Sequence, residues 1–342
     1  MKKEKNNLFT PLKINGLTIK NRVVMPPMDQ YISDDGFVTD WHELHYTTRA
    51  VGGAGLIIVE SSAVSGYESM ISDEDLALWD DKFIDGMARI ARGCHKHGAK
   101  VGIQLNHAGR KCESKKTDVI FAPSPIAFSE DYRTPKELSQ EDMDKIKKDF
   151  ANAALRAVKA GFDLIEIHAA HVYLLSQFLC PLSNTRTDIY GKERGKFTEE
   201  VIMEIRSAIG KDFPLILRVS ASDWHEKGNT PEDMIKMIKP MEQLIDALDI
   251  SSGGTVNDAK ITAYCGYQIQ FASAFKKVFN IPVIGGGLLW DPFTVNEIIK
   301  NNAADAVYIG RELLRNPYWA LQASRTLGIE TEFPAPYIRA RR

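Results

Sequence analysis

The chain has 342 residues, of which 44% are hydrophobic and 26% charged, and its formal net charge is -2. That is ample core material for an ordinary globular protein, with no bulk charge to draw it to nucleic acid or an anionic membrane and no apolar run near the ~20 residues of a membrane helix. Four scattered cysteines (Cys94, Cys112, Cys180, Cys265) lack disulfide or metal-ligand spacing, and the polar start Met1-Lys-Lys-Glu-Lys-Asn-Asn is unlike a signal peptide, so a reduced, cytoplasmic setting is expected.

Two short alternating runs around Asn15-Gly16, between Lys13 and Lys20, predict a tight hairpin that plugs the bottom of the fold built by the rest of the chain. Asn21 to Pro27 reads as a short buried strand ended by prolines. A rhythm then sets in. Apolar runs of strand length start at Gly55, Lys100, Asp163, Pro214, Ala247, Ile281 and Asp305, which with the first makes eight. Helical patterns lie among them at 81–97, 141–160, 196–209, 231–246, 267–279, 291–301 and 311–326. Thr230-Pro231 and Asp291-Pro292 each offer an N-cap followed by a first-turn proline. Runs without alternation mark strands covered on both faces. Eight strand–helix units predict a (β/α)8 TIM barrel, one domain over 1–342, with 1–20 as an N-terminal cap. The rival doubly wound sheet lacks a glycine fingerprint after its first strand.

The loop 106–139 comes after the third strand and is long enough to expect a lid or substrate wall at the barrel mouth; a second insertion spans 174–195. The fourth strand, Asp163-Leu-Ile-Glu-Ile-His168, runs into Ala-Ala-His171-Val-Tyr173. Two imidazoles and a phenol at a strand's C-terminal end form a cluster aimed at one small object. A metal is disfavoured, because ligand histidines and carboxylates are missing from the other strand ends. Gly285-Gly286-Gly287 and Gly310-Arg311 end the seventh and eighth strands, where a barrel usually holds phosphate; either alone could be a mere tight turn, but the pair in these two loops favours phosphate. Gln104 and Arg218, at the ends of the third and fifth strands, suit a planar heterocycle with carbonyl and imide edges, although Arg218 could instead pair with Glu166. His42 and His45, on the first helix, are expected to be packed or solvated. Cys94-His95-Lys96-His97 ends a helix, where cations favour the dipole.

Several long stretches also form a pattern in order. They are Leu8-Phe-Thr-Pro, Lys20-Asn-Arg-Val-Val-Met-Pro-Pro-Met28, Gly102-Ile-Gln-Leu-Asn-His-Ala-Gly-Arg110-Lys111, Ala122-Pro-Ser, Ala160 to His171, Pro181-Leu-Ser-Asn-Thr-Arg-Thr-Asp188, Leu217-Arg-Val-Ser220, Ser251-Ser-Gly-Gly254 and Ile309-Gly-Arg-Glu-Leu-Leu-Arg-Asn-Pro317. With them the chain resembles the Old Yellow Enzyme family of FMN-dependent ene-reductases, in its short, single-domain bacterial branch of NADPH dehydrogenases.

The resemblance implies bound FMN, with NADPH or NADH as hydride donor and an α,β-unsaturated aldehyde, ketone or nitro compound as acceptor, in ping-pong order. It implies that Pro27 and Met28 flank the flavin, that Gln104 and Arg218 meet its pyrimidine edge, and that Gly253 also lies at the cofactor. Gly286, Gly287, Gly310 and Arg311 would cradle the phosphate. His168 and His171 would hold the substrate oxygen, with Tyr173 as proton donor and Tyr31 as a second phenol. Lys111 would lie at the entrance. A homodimer or homotetramer is implied, in which Arg341, in a tail over 327–342, reaches the neighbouring subunit's site.

One position departs from the pattern. Asp29 stands where the family usually has a cysteine or threonine donating toward the flavin, and Gln30 replaces a commonly apolar residue. An ionised carboxylate cannot donate, so Asp29 is protonated, or turned away, or the flavin potential is lower than usual. Two alternatives remain: an FMN barrel dehydrogenase or demethylase of another small substrate, and a non-catalytic FMN-binding barrel. Relatives of the first kind often carry an iron–sulfur domain with clustered cysteines, and no cysteine comes after Arg311.

Overall fold

A computed structural model describes residues 6–341; Met1–Lys5 of the expected cap and Arg342 of the expected tail lie outside the described residues. Eight parallel strands close into a barrel: β1 (Val23–Met25), β2 (Leu56–Ala63), β3 (Lys100–Asn106), β4 (Leu164–Ala169), β5 (Leu215–Ser220), β6 (Ala247–Ser251), β7 (Val283–Gly285) and β8 (Ala306–Tyr308). Each pairs with the next, and β8 pairs with β1. The fold is the (β/α)8 TIM barrel.

Strand side chains alternate between the barrel interior and the helix layer. Val24, Leu56, Ile58, Leu164, Ile216, Ala247, Ile284 and Ala306 meet inside as one apolar cluster. Their strand neighbours Val23, Ile57, Val59, Ile165, Leu217, Leu248 and Val307 belong to the larger core under the helices. The hairpin Leu12–Ile14/Leu17–Ile19 turns at Asn15, whose φ of 50° is left-handed. It drives Ile14 and Ile19, both 0% exposed, into the interior cluster from below. Above this apolar floor the inward positions become polar: Gln104, Glu166, Arg218 and Asp249.

In β2 the pairing to β3 slips between Val59 and Ser61. The extra residue, Glu60, is a bulge. Its carboxylate turns to the helix layer, where it accepts from Gln30 N at 2.9 Å and from Tyr46 OH at 2.5 Å.

Three of the predicted helices begin at a side-chain cap. Ser139, Thr230 and Asp291 each accept a backbone N–H of their helix's first turn. The expected 267–279 helix is trimmed at both ends to Ile269–Lys276, and two others are cut by an internal proline. The 231–246 segment is α-helical only over Pro231–Ile238 and tightens to a 3₁₀ turn over Lys239–Leu244, because Pro240 lacks the N–H that would continue it. The 311–326 segment breaks into Arg311–Arg315 and Trp319–Thr326 around Pro317. The 106–139 loop is partly structured: Phe121–Ala122 pairs with Lys136–Glu137, and Arg133 ties the loop together by donating to the carbonyls of Cys112, Ser114 and Thr117. His42 and His45 are packed beneath the Asp40–Val51 helix.

Truncating Ile19 to Ala leaves a hole in the barrel floor. It is expected to cost about 2–5 kcal/mol, read as a lower urea midpoint, with Leu17→Ala, on the half-buried side of the hairpin, costing far less.

Candidate active site

A cavity of about 630 Å³ opens at the C-terminal mouth. It is lined by Pro27 and Met28 after β1, His171 after β4, Arg218 of β5, Gly287 after β7, and Gly310 and Arg311 after β8. Gly287 has φ +101°, and a Cβ there would lie 2.8 Å from the Tyr267 ring; no other residue fits that turn. At Gly310 a Cβ would meet nothing nearer than Met28 Sδ at 3.6 Å, so backbone is open to the cavity. Arg311 forms no ion pair among the described residues, whereas Arg315 is paired with Glu312 at 2.8 Å. A cationic, glycine-lined end of this kind suits an anion.

Beneath the cavity lies the polar layer. Arg218 Nη1 is 3.1 Å from Asp249 Oδ2 and 3.8 Å from Glu166 Oε1. Its Nε is buried with no hydrogen-bond partner, an unmet donor at the cavity's base. Gln104 is placed behind this arginine rather than on the cavity wall: its Nε2 donates to Glu166 Oε1 at 2.8 Å. Burial would lower the Arg218 pKa, but Asp249 and Glu166 outweigh it and raise it.

His168 and His171 meet edge to face with ring centroids 5.3 Å apart, and His168 contacts the Tyr173 ring at 4.8 Å. Each imidazole has one nitrogen committed within the protein. His168 Nδ1 accepts from Ala170 N at 3.3 Å, which places its proton on Nε2. His171 Nε2 meets Ser251 Oγ at 2.6 Å. That hydroxyl also accepts from Gln268 Nε2 at 3.2 Å; when its own proton goes to His171, the imidazole hydrogen is on Nδ1. Burial, reinforced by the Arg218 charge, depresses His171 to about 3, and burial with His171 and Arg218 depresses His168 as well. Both rings are neutral, each carrying one N–H. His171 and Val172 carry positive φ of 56° and 75°, strained for non-glycine residues; Ser220 Oγ accepts from His171 N at 3.1 Å, and the Gln177 amide donates to Val172 O.

The other candidates surround this centre. Burial, then Asp29, raises the Tyr173 and Tyr31 phenols, so both keep their protons. Asp29 turns toward β2, its Oδ1 accepting from Ser61 N at 3.1 Å; burial and the acids Asp75 and Glu60 hold its carboxyl well above the usual range. Gly253, with φ 76°, is a loop joint under Ile261, and Gly286 packs under Tyr308; neither lines the cavity. Lys111 sits in the 106–139 loop, 3.8 Å over the Tyr132 ring and 3.2 Å from Glu113. Arg341 lies apart, paired with Glu330 of its own chain at 3.0 Å. Sequence reasoning misses Asp249, Ser251 and Gln268. Asp249 and Ser251 share the inward phase of β6 with Ala247, a signal in the alternation itself; Gln268 has no comparable mark.

Residues 7–330 match the model of the NADH:flavin oxidoreductase / NADH oxidase family. An NADPH dehydrogenase of Clostridium acetobutylicum is 46% identical over 338 residues, covering 97% of this chain and 99% of the relative. One from Bacillus subtilis is 46% identical over 335 residues, covering 96% and 97%. Among solved structures, morphinone reductase superposes with a TM-score of 0.81 at 26% identity, covering 98% of this chain and 93% of that one. A 2-naphthoyl-CoA reductase shares the fold with a TM-score of 0.87 at 22% identity over 94% of this chain, which spans 52% of that longer one; the chain likewise spans 48% of a histamine dehydrogenase.

Asp75, which crowds Asp29, has its pKa raised from 3.8 to about 7, chiefly by burial. An acid raised in the folded state is neutral there while the unfolded chain ionises, so it costs stability as pH rises through this window. Asp75→Asn should therefore gain on wild type by roughly tenfold in the folding equilibrium per pH unit across the window, measured as denaturation midpoints against pH.

Proposed function

The chain belongs to the NADH:flavin oxidoreductase / NADH oxidase family, and we propose that within it this FMN-dependent oxidoreductase reduces the C=C bond of α,β-unsaturated aldehydes, ketones and nitro compounds. The residues present fit FMN. An unmet Arg218 Nε at the cavity base suits a ring edge rich in acceptors, and Arg311 with the open backbone at Gly287 and Gly310 suits a phosphate. Pro27 and Met28 would flank the ring, with Gln104 acting through Glu166. When bound, FMN supplies the two-electron hydride chemistry between nicotinamide nucleotide and acceptor.

The observation that carries the proposal is the pair of neutral imidazoles on the cavity side of Arg218. His168 Nε2–H and His171 Nδ1–H are the free donors, and together they hold a carbonyl or nitro oxygen and stabilise the negative charge that grows on it as the β-carbon accepts hydride. Tyr173, kept protonated by its surroundings, gives the α-carbon its proton. Tyr31 and Lys111 shape the entrance, and the nucleotide leaves before the alkene enters by the same mouth. The chain acts as a homo-oligomer in the cytoplasm, with Arg341 exchanging its Glu330 partner for the neighbouring subunit's site.

The purified protein should be yellow, bleach with NADPH under anaerobic conditions and recover its colour with 2-cyclohexenone. In His171→Ala the bleaching should survive while kcat/KM for the enone falls about 10²–10³-fold; unchanged turnover would remove the imidazole pair from the mechanism. Asp29→Cys, which exchanges a bulky acid for a small donor beside Ser61, should raise the midpoint potential of the bound FMN, measured by dye-linked titration.

A further inference from the structure

The barrel interior holds more acid than its one base balances. Glu166 on β4 and Asp249 on β6 flank Arg218 on β5, and both acids are 0% exposed. Glu166 Oε1 accepts from Gln104 Nε2 at 2.8 Å, and Asp249 Oδ2 lies 3.1 Å from Arg218 Nη1. The remaining oxygens, Glu166 Oε2 and Asp249 Oδ1, are buried with no hydrogen-bond partner, and both carboxyl groups reach the same Arg218 Nη1, at 3.8 and 3.1 Å. Ionised carboxylates only accept, so neither of these oxygens meets a donor unless one carboxyl carries a proton. Two buried carboxylates facing a single guanidinium favour holding one proton over both ionising.

We infer that Glu166 and Asp249 hold one proton between their otherwise unpartnered oxygens and serve Arg218 jointly as a counterion of one charge. Asp249 is thereby a positioning residue: it holds the Arg218 guanidinium through Nη1 at the cavity base, while the shared proton keeps the trio neutral. Burial and mutual proximity push Glu166 well above the usual carboxylate range. The groups facing the trio are the Gln104 amide from β3, the Tyr308 ring from β8 at 5.3 Å from Arg218 Cζ, the neutral His168 and His171 above, and Asp29 from beyond β1. Loss of the proton adds one negative charge directly behind Arg218 and weakens its hold on negative charge at the cavity base. This last consequence depends on Arg218 facing the bound FMN ring, as proposed above.

The FMN-loaded protein allows both parts to be tested in Asp249→Asn and Glu166→Gln. Infrared spectra at neutral pH should show a protonated-carboxyl stretch, shifted by deuterium oxide, that each single substitution abolishes. Because Asp29 gives a band of its own, the readout is the wild-type-minus-variant difference; a difference spectrum without that stretch overturns the shared proton. Each substitution also leaves the trio at the same net charge, so wild-type and variant midpoint potentials should agree near neutrality and separate as pH rises, the wild type falling. A potential that climbs in the variants already at neutral pH means that both acids were ionised, which overturns the inference independently. If the stretch behaves as expected while the potentials never separate, the shared proton stands and the placement of Arg218 beside the ring fails. Should one variant not fold, the other carries the same comparisons.

Discussion

A guanidinium cannot sit in a dry barrel interior without a counter-charge. Desolvating it costs several kcal/mol, and Arg218 is 6% exposed. The register of β5 against β6 sets Arg218 directly beside Asp249, and β3 against β4 sets Gln104 beside Glu166. Four inward side chains thus form one belt, closed below by the hairpin isoleucines and open above to the cavity. The apolar floor sustains the belt's electrostatics: without Ile14 and Ile19 in place, water would reach the charges from beneath and screen them.

Above the belt, precision comes from local strain held by neighbours. His171 and Val172 adopt left-handed backbone that their side chains disfavour. Ser220, Gln177 and the close backbone of Gly254, where a Cβ would stand 3.0 Å from His171 Cα, keep them there. The geometry of the imidazole pair is therefore imposed by β5 and the loop after β6, not by β4 alone. The 106–139 loop is tied within itself by Arg133 and to the loop after β6 by Arg110, which donates to Thr255 O at 2.9 Å.

The eight strands were legible because buried parallel strands are short unbroken apolar runs, and the histidines, Gln104 and Arg218 were legible because each interrupts or ends such a run. Two of the helices that came out longer in sequence than in the structure did so because their amphipathic pattern continues through Pro240 and Pro317 while the hydrogen bonding does not. Asp249 also interrupts an apolar run and still escaped notice. Its importance depends on which residue of β5 it faces, 31 positions earlier, and that is a matter of register, invisible before the sheet closes. For the same reason the pairing of Arg218 with Glu166, plausible from the strand ends, is the longer of its two contacts. The way Asp29 turns toward Ser61 was equally hidden, because it is a consequence of the slip in β2.

That slip acts as a change of phase. Before it, Leu56 and Ile58 face the barrel interior; after it, Ser61 does, opposite Gln104, and Asn106 donates to its hydroxyl at 2.8 Å. An unbroken strand would have turned Glu60 inward, adding a third acid to a belt that already carries two for one arginine. One inserted residue therefore re-aims a charge without changing the strand's composition. It keeps a surplus carboxylate out of the central cage and leaves a small hydroxyl at the rim, with the Ser61 N–H given to Asp29, so the length of this strand is as much a determinant of the site's electrical balance as any side chain in it.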